Sequence, residues 1–233
     1  MFVDKEKIQI EKYKGIAYLR YIDNIYHQII KKNENEQIYI LIQDAQKLNL
    51  FTGYYKKNEI FKITMLTVDW EKVNSKDSIE ENLENKDNLL YIIKNSIDSN
   101  HYNEILWDFC NKKKIFLSYC LLEIYKDIQE QMVDNDIIQI AHYYSAGYPP
   151  LLLVENENYH FPLRAGIPLG ITDVYPKKQT LEIPINSKIY IHTPINEKIH
   201  NLRELHYDIS KNNLNQLPQD LLLFEYQFLH YEK

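Results

Sequence analysis

The chain has 233 residues and a formal net charge of −6. That length suits one large domain or two small ones, and the charge argues against nucleic acid or an anionic membrane as the main partner. Hydrophobic residues make up 45% and aromatics 13%, mostly through 20 tyrosines, which is enough apolar surface for a real core.

The start, MFVDKEKIQIEKYKG, is charged and lacks the apolar region of a secretory signal. No run approaches the roughly 18 apolar residues that a membrane helix needs. A cytoplasmic chain with no membrane span is therefore expected. The Ile-, Lys-, Asn- and Tyr-rich mixture reads as compositional bias.

Residues 8–30 alternate apolar and polar in stretches (Ile8, Ile10; Ile16, Tyr18; Ile25, Ile29), which predicts one or two half-buried strands. The polar segment KKNENEQ, Lys31 to Gln37, reads as a hairpin turn. Ile38 to Ile42 is a continuous apolar run, the pattern of a strand buried on both faces. Lys47 to Met65 could hold a helix, whereas Ile60 to Trp70 could equally be strand. Ser75 to Lys86 is strongly polar and reads as loop. From Asp87 to Cys110, Leu89, Leu90, Ile93, Ile97, Ile105, Leu106 and Phe109 recur at helical spacing, which predicts two helices broken near Asn100.

From Ile115 the texture changes. Ile115–Tyr125, Ile137–Tyr144, Pro150–Val154, Ile189–Thr193 and Leu221–Leu229 all read as strands, separated by turn clusters such as Asp134-Asn135-Asp136 and Ile185-Asn186-Ser187. Glu197 to Ser210 carries the helical stripe Ile199, Leu202, Leu205, Ile209. Strands in runs with helices in two blocks point to an α+β chain built on antiparallel sheet, expected as a single domain over residues 1–233. Cys110 and Cys120 have no metal-type spacing and read as small buried hydrophobes. No His-x-His or His-x3-His pair supports a zinc site.

The most specific stretch is Tyr144 to Ile171, YSAGYPPLLLVENENYHFPLRAGIPLGI, which holds three of the five glycines. A chain this sparing of glycine is expected to keep Gly147, Gly166 and Gly170 where the backbone needs positive φ or a close approach. Pro149 and Pro150 would fix the exit of the first turn.

These motifs resemble the SpoIIE-like branch of the PPM (protein phosphatase type 2C) superfamily. Members carry a strand ending in "NAGHPPPLL", then a polar hairpin, then "G.PLGI", then a strand ending in "TDG". Here the matching stretches are Ser145 to Leu152, Gly166 to Ile171, and Ile189 to Glu197. Phe116-Leu117-Ser118 stands at the family's "F.T" strand start, and Ile40 to Asp44 resembles its "IGD" strand. The resemblance implies an α-β-β-α sandwich of two antiparallel sheets flanked by helices. It also implies two Mn²⁺ or Mg²⁺ ions, held by converging aspartates, that activate a water for attack on phosphoserine or phosphothreonine.

The acidic positions of that pattern are largely lost. Asn24 and His27 stand where acids belong, beside Asp23. Asp44 is retained, but the glycines that follow it are replaced by Ala45-Gln46-Lys47. Pro194 replaces the aspartate of "TDG" after Thr193, and Gln219 replaces a closing ligand, with Asp220 next to it. Asp44 reads either as a remnant ligand for one weakly held ion or as an ordinary turn-forming residue after a strand. His27 with Asp44 is the pairing most worth testing.

The expectation is thus a degenerate phosphatase domain, without cofactor, that binds another signalling protein, conceivably an antagonist-type phosphoprotein. Self-association through tyrosine-rich faces is the structural alternative. The enzymatic alternative is an active phosphatase with a rearranged Mn²⁺ or Mg²⁺ site drawing on Asp23, His27, Asp44, Glu197 or Asp220.

Overall fold

The computed structural model describes residues 4–8, 15–21, 25–33, 35–44, 48–56, 60–68, 79–125, 131–133, 136–156, 158–171, 173–195, 201–213, 216–218 and 221–228. Fourteen strands and three helices occur among them. The larger sheet contains β3 (Ile25–Asn33), β4 (Glu36–Asp44), β5 (Leu48–Lys56), β6 (Ile60–Val68), β7 (Leu117–Tyr125), β9 (Asp136–Ala146) and β12 (Gln179–Pro184), side by side in that order, with β8 (Gln131–Val133) paired to β9. The smaller sheet runs β1 (Asp4–Ile8), β2 (Gly15–Tyr21), β14 (Leu223–Phe228), β13 (Lys188–His192), β10 (Leu152–Glu155), β11 (Asn158–His160). All of these ladders are antiparallel.

The sheets pack face to face. Phe51, Ile63, Met65 and Leu122 of the larger sheet share one buried cluster with Ile189, Ile191, Phe224 and Tyr226 of the smaller. Phe51 stacks on Phe224 with ring centroids 6.0 Å apart, and the Tyr226 hydroxyl donates to Gln139 Oε1 at 2.7 Å. Helices α1 (Ile79–Ser96) and α2 (Tyr102–Lys113) cover the outer face of the larger sheet through Leu89, Ile93, Ile97, Leu106 and Phe109. Helix α3 (Leu202–Ser210) covers the smaller sheet through Leu205 and Ile209. The result is the α-β-β-α sandwich that the motifs implied.

Two expectations need correction. No helix forms among the described residues of 47–65; β5 and β6 lie there instead, with seven of the nine β5 residues and all nine of β6 buried. A strand sandwiched between helices and a second sheet is apolar on both faces, so it loses the alternation that separates strand from helix. The polar stretch Ser75–Lys86 is not all loop, because α1 begins at Ile79. Its charged residues are good helix formers, and the buried stripe Asn85, Leu89, Ile93, Ile97 steps by four residues. The strand β12 had no counterpart among the expectations.

Polar contacts pin the helices to the sheet. Lys62 and Glu123 are cross-strand partners on β6 and β7, and Lys62 Nζ lies 3.2 Å from Glu123 Oε1. Lys62 Nζ also donates to Ser99 O at 3.1 Å, in the turn between α1 and α2. A buried ammonium without such partners would cost several kcal/mol. The Tyr119 hydroxyl donates to Asn103 Oδ1 of α2 at 2.9 Å. Seven tyrosines are buried among the described residues, so much of the tyrosine content serves the core. Cys110 and Cys120 are buried free thiols.

The glycine turns interlock. Gly147 has φ +62 and Gly170 φ +81, left-handed values that side chains with a Cβ adopt only under strain. A Cβ on Gly147 would run into the Pro168 ring, and one on Gly170 into the Ile115 carbonyl oxygen. A Cβ on Gly166 would meet Ser145 O. The Gly147 N–H donates to Gly166 O at 2.8 Å, and Leu117 and Leu169 exchange N–H···O bonds at 3.2 and 2.9 Å. Pro149 is half-buried just beyond the first turn. Gly147→Ala and Gly170→Ala should each lower the unfolding free energy by more than about 1 kcal/mol, combining strained φ with collisions against backbone or a proline ring. Urea denaturation checks this; unchanged midpoints would show that the turns can relax.

Candidate functional site

Register decides which strand ends meet. In the smaller sheet Arg20 of β2 pairs with Leu223 of β14, and Leu223 with His192 of β13. In the larger sheet Ile25 pairs with Gln43, Asp44 with Leu48, Leu48 with Val68, and Val68 with Leu117. Both rows lie at the same end of the sandwich, because the chain passes from Tyr21 at the end of β2 to Ile25 at the start of β3. The end of β9, Gly147 and the 161–171 loop reach this end too, through the Tyr119–Gly147 and Leu117–Leu169 bridges.

Of the positions suspected from the motifs, Asp44 and Pro194 lie at strand ends in these rows. Asn24 lies outside the described residues, between Tyr21 and Ile25. His27 is on β3 and Asp44 closes β4, although their side chains are not among those described. Gln219 and Asp220 lie outside the described residues, just ahead of Leu221. Pro194 follows β13, half-buried.

The described side chains facing the gap between the sheets here are neutral. Asn49 and Thr67 are cross-strand partners, both buried, and the Thr67 hydroxyl donates to Asn49 Oδ1 at 2.8 Å. Tyr148 is buried beside them, and burial pushes its phenol well above the usual range. Thr193, the retained residue of the "TDG"-like motif, exchanges contacts with Leu222: its N–H donates to Leu222 O at 3.0 Å, and its Oγ1 accepts from Leu222 N at 3.1 Å. Its side chain is thereby committed to holding the β13–β14 edge together.

Hard divalent ions need several oxygen ligands and negative charge. The described side chains at this end supply neutral amide and hydroxyl groups, Asn49 bonded to Thr67 and Thr193 to Leu222 N–H, and by themselves they do not fit a pair of such ions. Among the described residues no group of three His, Cys, Asp or Glu side chains converges on a common point. This edge, as described, can hydrogen-bond a partner but offers no charge clamp for a phosphoryl group.

The structure also brings together two histidines that no sequence spacing linked. His192 points outward from β13 and His206 inward from α3, both buried, with their Nε2 atoms 3.2 Å apart. His192 Nδ1 lies 2.8 Å from Thr193 O; since a carbonyl only accepts, Nδ1 carries the proton. His192 Nε2 then accepts, and His206 Nε2–H donates. Phe161 and Tyr159 pack their rings against His206. The two residues are fourteen apart on different elements, so only the outward alternation of β13 combined with the α3 stripe could have paired them. Burial lowers both pKa values, that of His192 to about 4, with the neighbouring His206 adding to the effect.

No family model matches the sequence, and no curated protein does. Among solved structures, the chain is similar to the RsbU and RsbW domains of Rv1364c from Mycobacterium tuberculosis, with 14% identity, a TM-score of 0.56, and 90% of this chain and 62% of that chain covered. It is also similar to the PP2C phosphatase domain with a regulatory fragment of the cell fate determinant SpoIIE from Bacillus subtilis, with 9% identity, a TM-score of 0.51, and 98% of this chain and 83% of that chain covered. The chain thus spans less than two thirds of the Rv1364c chain it matches. Two face-to-face antiparallel sheets with outer helices, superposed on these structures, define the PP2C-type (PPM) phosphatase fold. This chain has that fold. No helix among the described residues is long and apolar enough to cross a membrane.

The histidine pair sets a pH dependence. Both folded-state pKa values lie below the ordinary value of about 6.5, so the folded chain binds fewer protons than the unfolded one. The stability they contribute is fully present above about pH 6.5 and is lost as pH falls towards 4. His192 alone accounts for about 3 kcal/mol over that window, at 1.36 kcal/mol per pKa unit. Urea unfolding between pH 7 and 4 should show a shallower decline for His192→Gln than for the wild type; parallel declines would contradict the assignment.

Proposed function

We propose that this chain is a non-catalytic member of the PPM-fold proteins that works by binding another signalling protein, an antagonist-type phosphoprotein being the class the motifs favour. The observation that carries this reading is that the described side chains at this edge are neutral. Where the fold would gather carboxylates, Asn49 is bonded to Thr67, the Thr193 side chain is bonded to Leu222, and Pro194 offers no side-chain ligand atom. Two divalent ions would bring four positive charges to this end, and neutral amides and hydroxyls cannot offset them. Without the ions there is no activated water and no electrostatic stabilisation of a transferring phosphoryl group. A surface shaped around a phosphorylated partner can persist without turnover, because fold and chemistry are separable.

Hydrolysis of an aryl phosphate and of a phosphoserine peptide with Mn²⁺ tests this, comparing wild type with Asp44→Ala. Both should match the protein-free blank. Metal-dependent turnover in the wild type, abolished by that substitution, would establish a divergent enzyme that draws on Asp44.

A further inference from the structure

Helix α3 is nine residues long, and a helix that short is marginal in water without packing. Its buried residues are Leu205, His206 and Ile209. Leu205 and Ile209 share a cluster with Leu152 and Val154 of β10, Tyr190 of β13 and Leu223 of β14. His206 meets the sheet through a hydrogen bond, its Nε2–H donating to His192 Nε2 across 3.2 Å. The docking of α3 thus combines two apolar side chains with a polar contact between imidazoles.

That contact tolerates little added charge. His192 Nδ1 keeps its proton for Thr193 O, so its Nε2 accepts only while the ring is neutral. A proton added there would set two N–H donors facing each other. A proton added to His206 leaves the bond in place but charges a buried ring, one packed against Phe161 and Tyr159 at 5.0 and 6.1 Å between centroids.

The titratable and charged neighbours come from five elements. Strand β11 contributes Tyr159 and β13 contributes Tyr190 and Lys188, on the same face of the strand as His192. From β14 comes Glu225, whose Oε1 lies 3.3 Å from Lys188 Nζ. Arg20 of β2 follows Leu223 in the cross-strand row of His192. On α3 itself, Arg203 and Glu204 are exposed, and Asp208 Oδ1 accepts from Asn213 Nδ2 at 3.3 Å.

We infer that α3 is an acid-released latch: charging the His192–His206 pair undocks it from the smaller sheet while the two-sheet sandwich stays folded. Release is local because the pair lies on the outer face of that sheet. The cluster between the sheets, with Phe51, Ile63, Phe224 and Tyr226, shares no residue with the cluster under α3, so the sandwich keeps its own source of stability. Release uncovers Leu152, Val154 and Leu223, and it frees His192 from its partner next to Thr193. Burial holds both imidazoles below their ordinary range, so the docked state binds fewer protons than the released one. Docking is strongest above about pH 6.5 and weakens as the pH falls. The inference does not depend on whether the chain turns over phosphate.

Hydrogen exchange read by mass spectrometry on the whole chain tests it, with rates corrected for the pH dependence of the exchange chemistry. Between pH 7 and pH 5, protection of peptides from 202–210 should fall at least about tenfold, while peptides from β5 and β6 keep theirs. Unchanged α3 protection, or an equal loss in α3 and in β5 and β6, would overturn the inference. In the double variant His192→Gln with His206→Gln, α3 protection should no longer respond to pH over this range. A decline as steep as in the wild type would place the titration elsewhere and overturn the inference. A wild-type measurement serves if that variant does not fold. The imidazole C–H resonances of His192 and His206, followed by NMR, should titrate with the same midpoint as the loss of α3 protection. Separate midpoints would contradict the latch.

Discussion

Antiparallel register is the constraint on which the rest of this structure depends. Because each strand returns alongside its neighbour, the ladders Arg20–Leu223–His192 and Gln43–Ile25, Asp44–Leu48–Val68–Leu117 bring one end of every long strand to the same side of the sandwich. Buried apolar side chains on both inner faces make slippage costly, since a one-residue shift would turn each inward group outward. Loops far apart in sequence are therefore forced into proximity, and the interlocked turns at Gly147, Gly166 and Gly170 fill the space between them.

That convergence is what lets residues far apart in sequence form a site at one end. In a two-metal site, geometry and charge must arrive together. Here Thr193 lies just beyond β13, its hydroxyl joined to Leu222 N–H. Among the described side chains at that end, Asn49 is bonded to Thr67 and Thr193 to the Leu222 backbone. Each such pair stabilises the fold modestly while withdrawing a potential ligand. The same threonine backbone carbonyl accepts from His192, so the edge of the site and the docking of α3 share one hydrogen-bonded path.

Much of this was legible in the sequence, for identifiable reasons. The Ser145–Leu152 and Gly166–Ile171 stretches carry backbone demands that only glycine and proline satisfy, so their geometry is written in residue identity. Strands such as β13 and β14 are bounded by turn clusters. By contrast, β5 and β6 are apolar on both faces and gave no periodicity to choose strand over helix, and the start of α1 hid in a polar run because its outer face is solvated. Asn49 with Thr67 and His192 with His206 depend on pairing across ladders or layers, which no local pattern encodes.

The central claim is that this end of the sandwich lacks the charge to hold catalytic ions. Titration of the wild-type chain with Mn²⁺, followed by the electron paramagnetic resonance signal of the free ion, measures that directly. The account predicts a signal that rises with each addition as it does in buffer, with no saturable sites, as expected for an edge without converging carboxylates. Uptake of two ions per chain before free Mn²⁺ appears would contradict it.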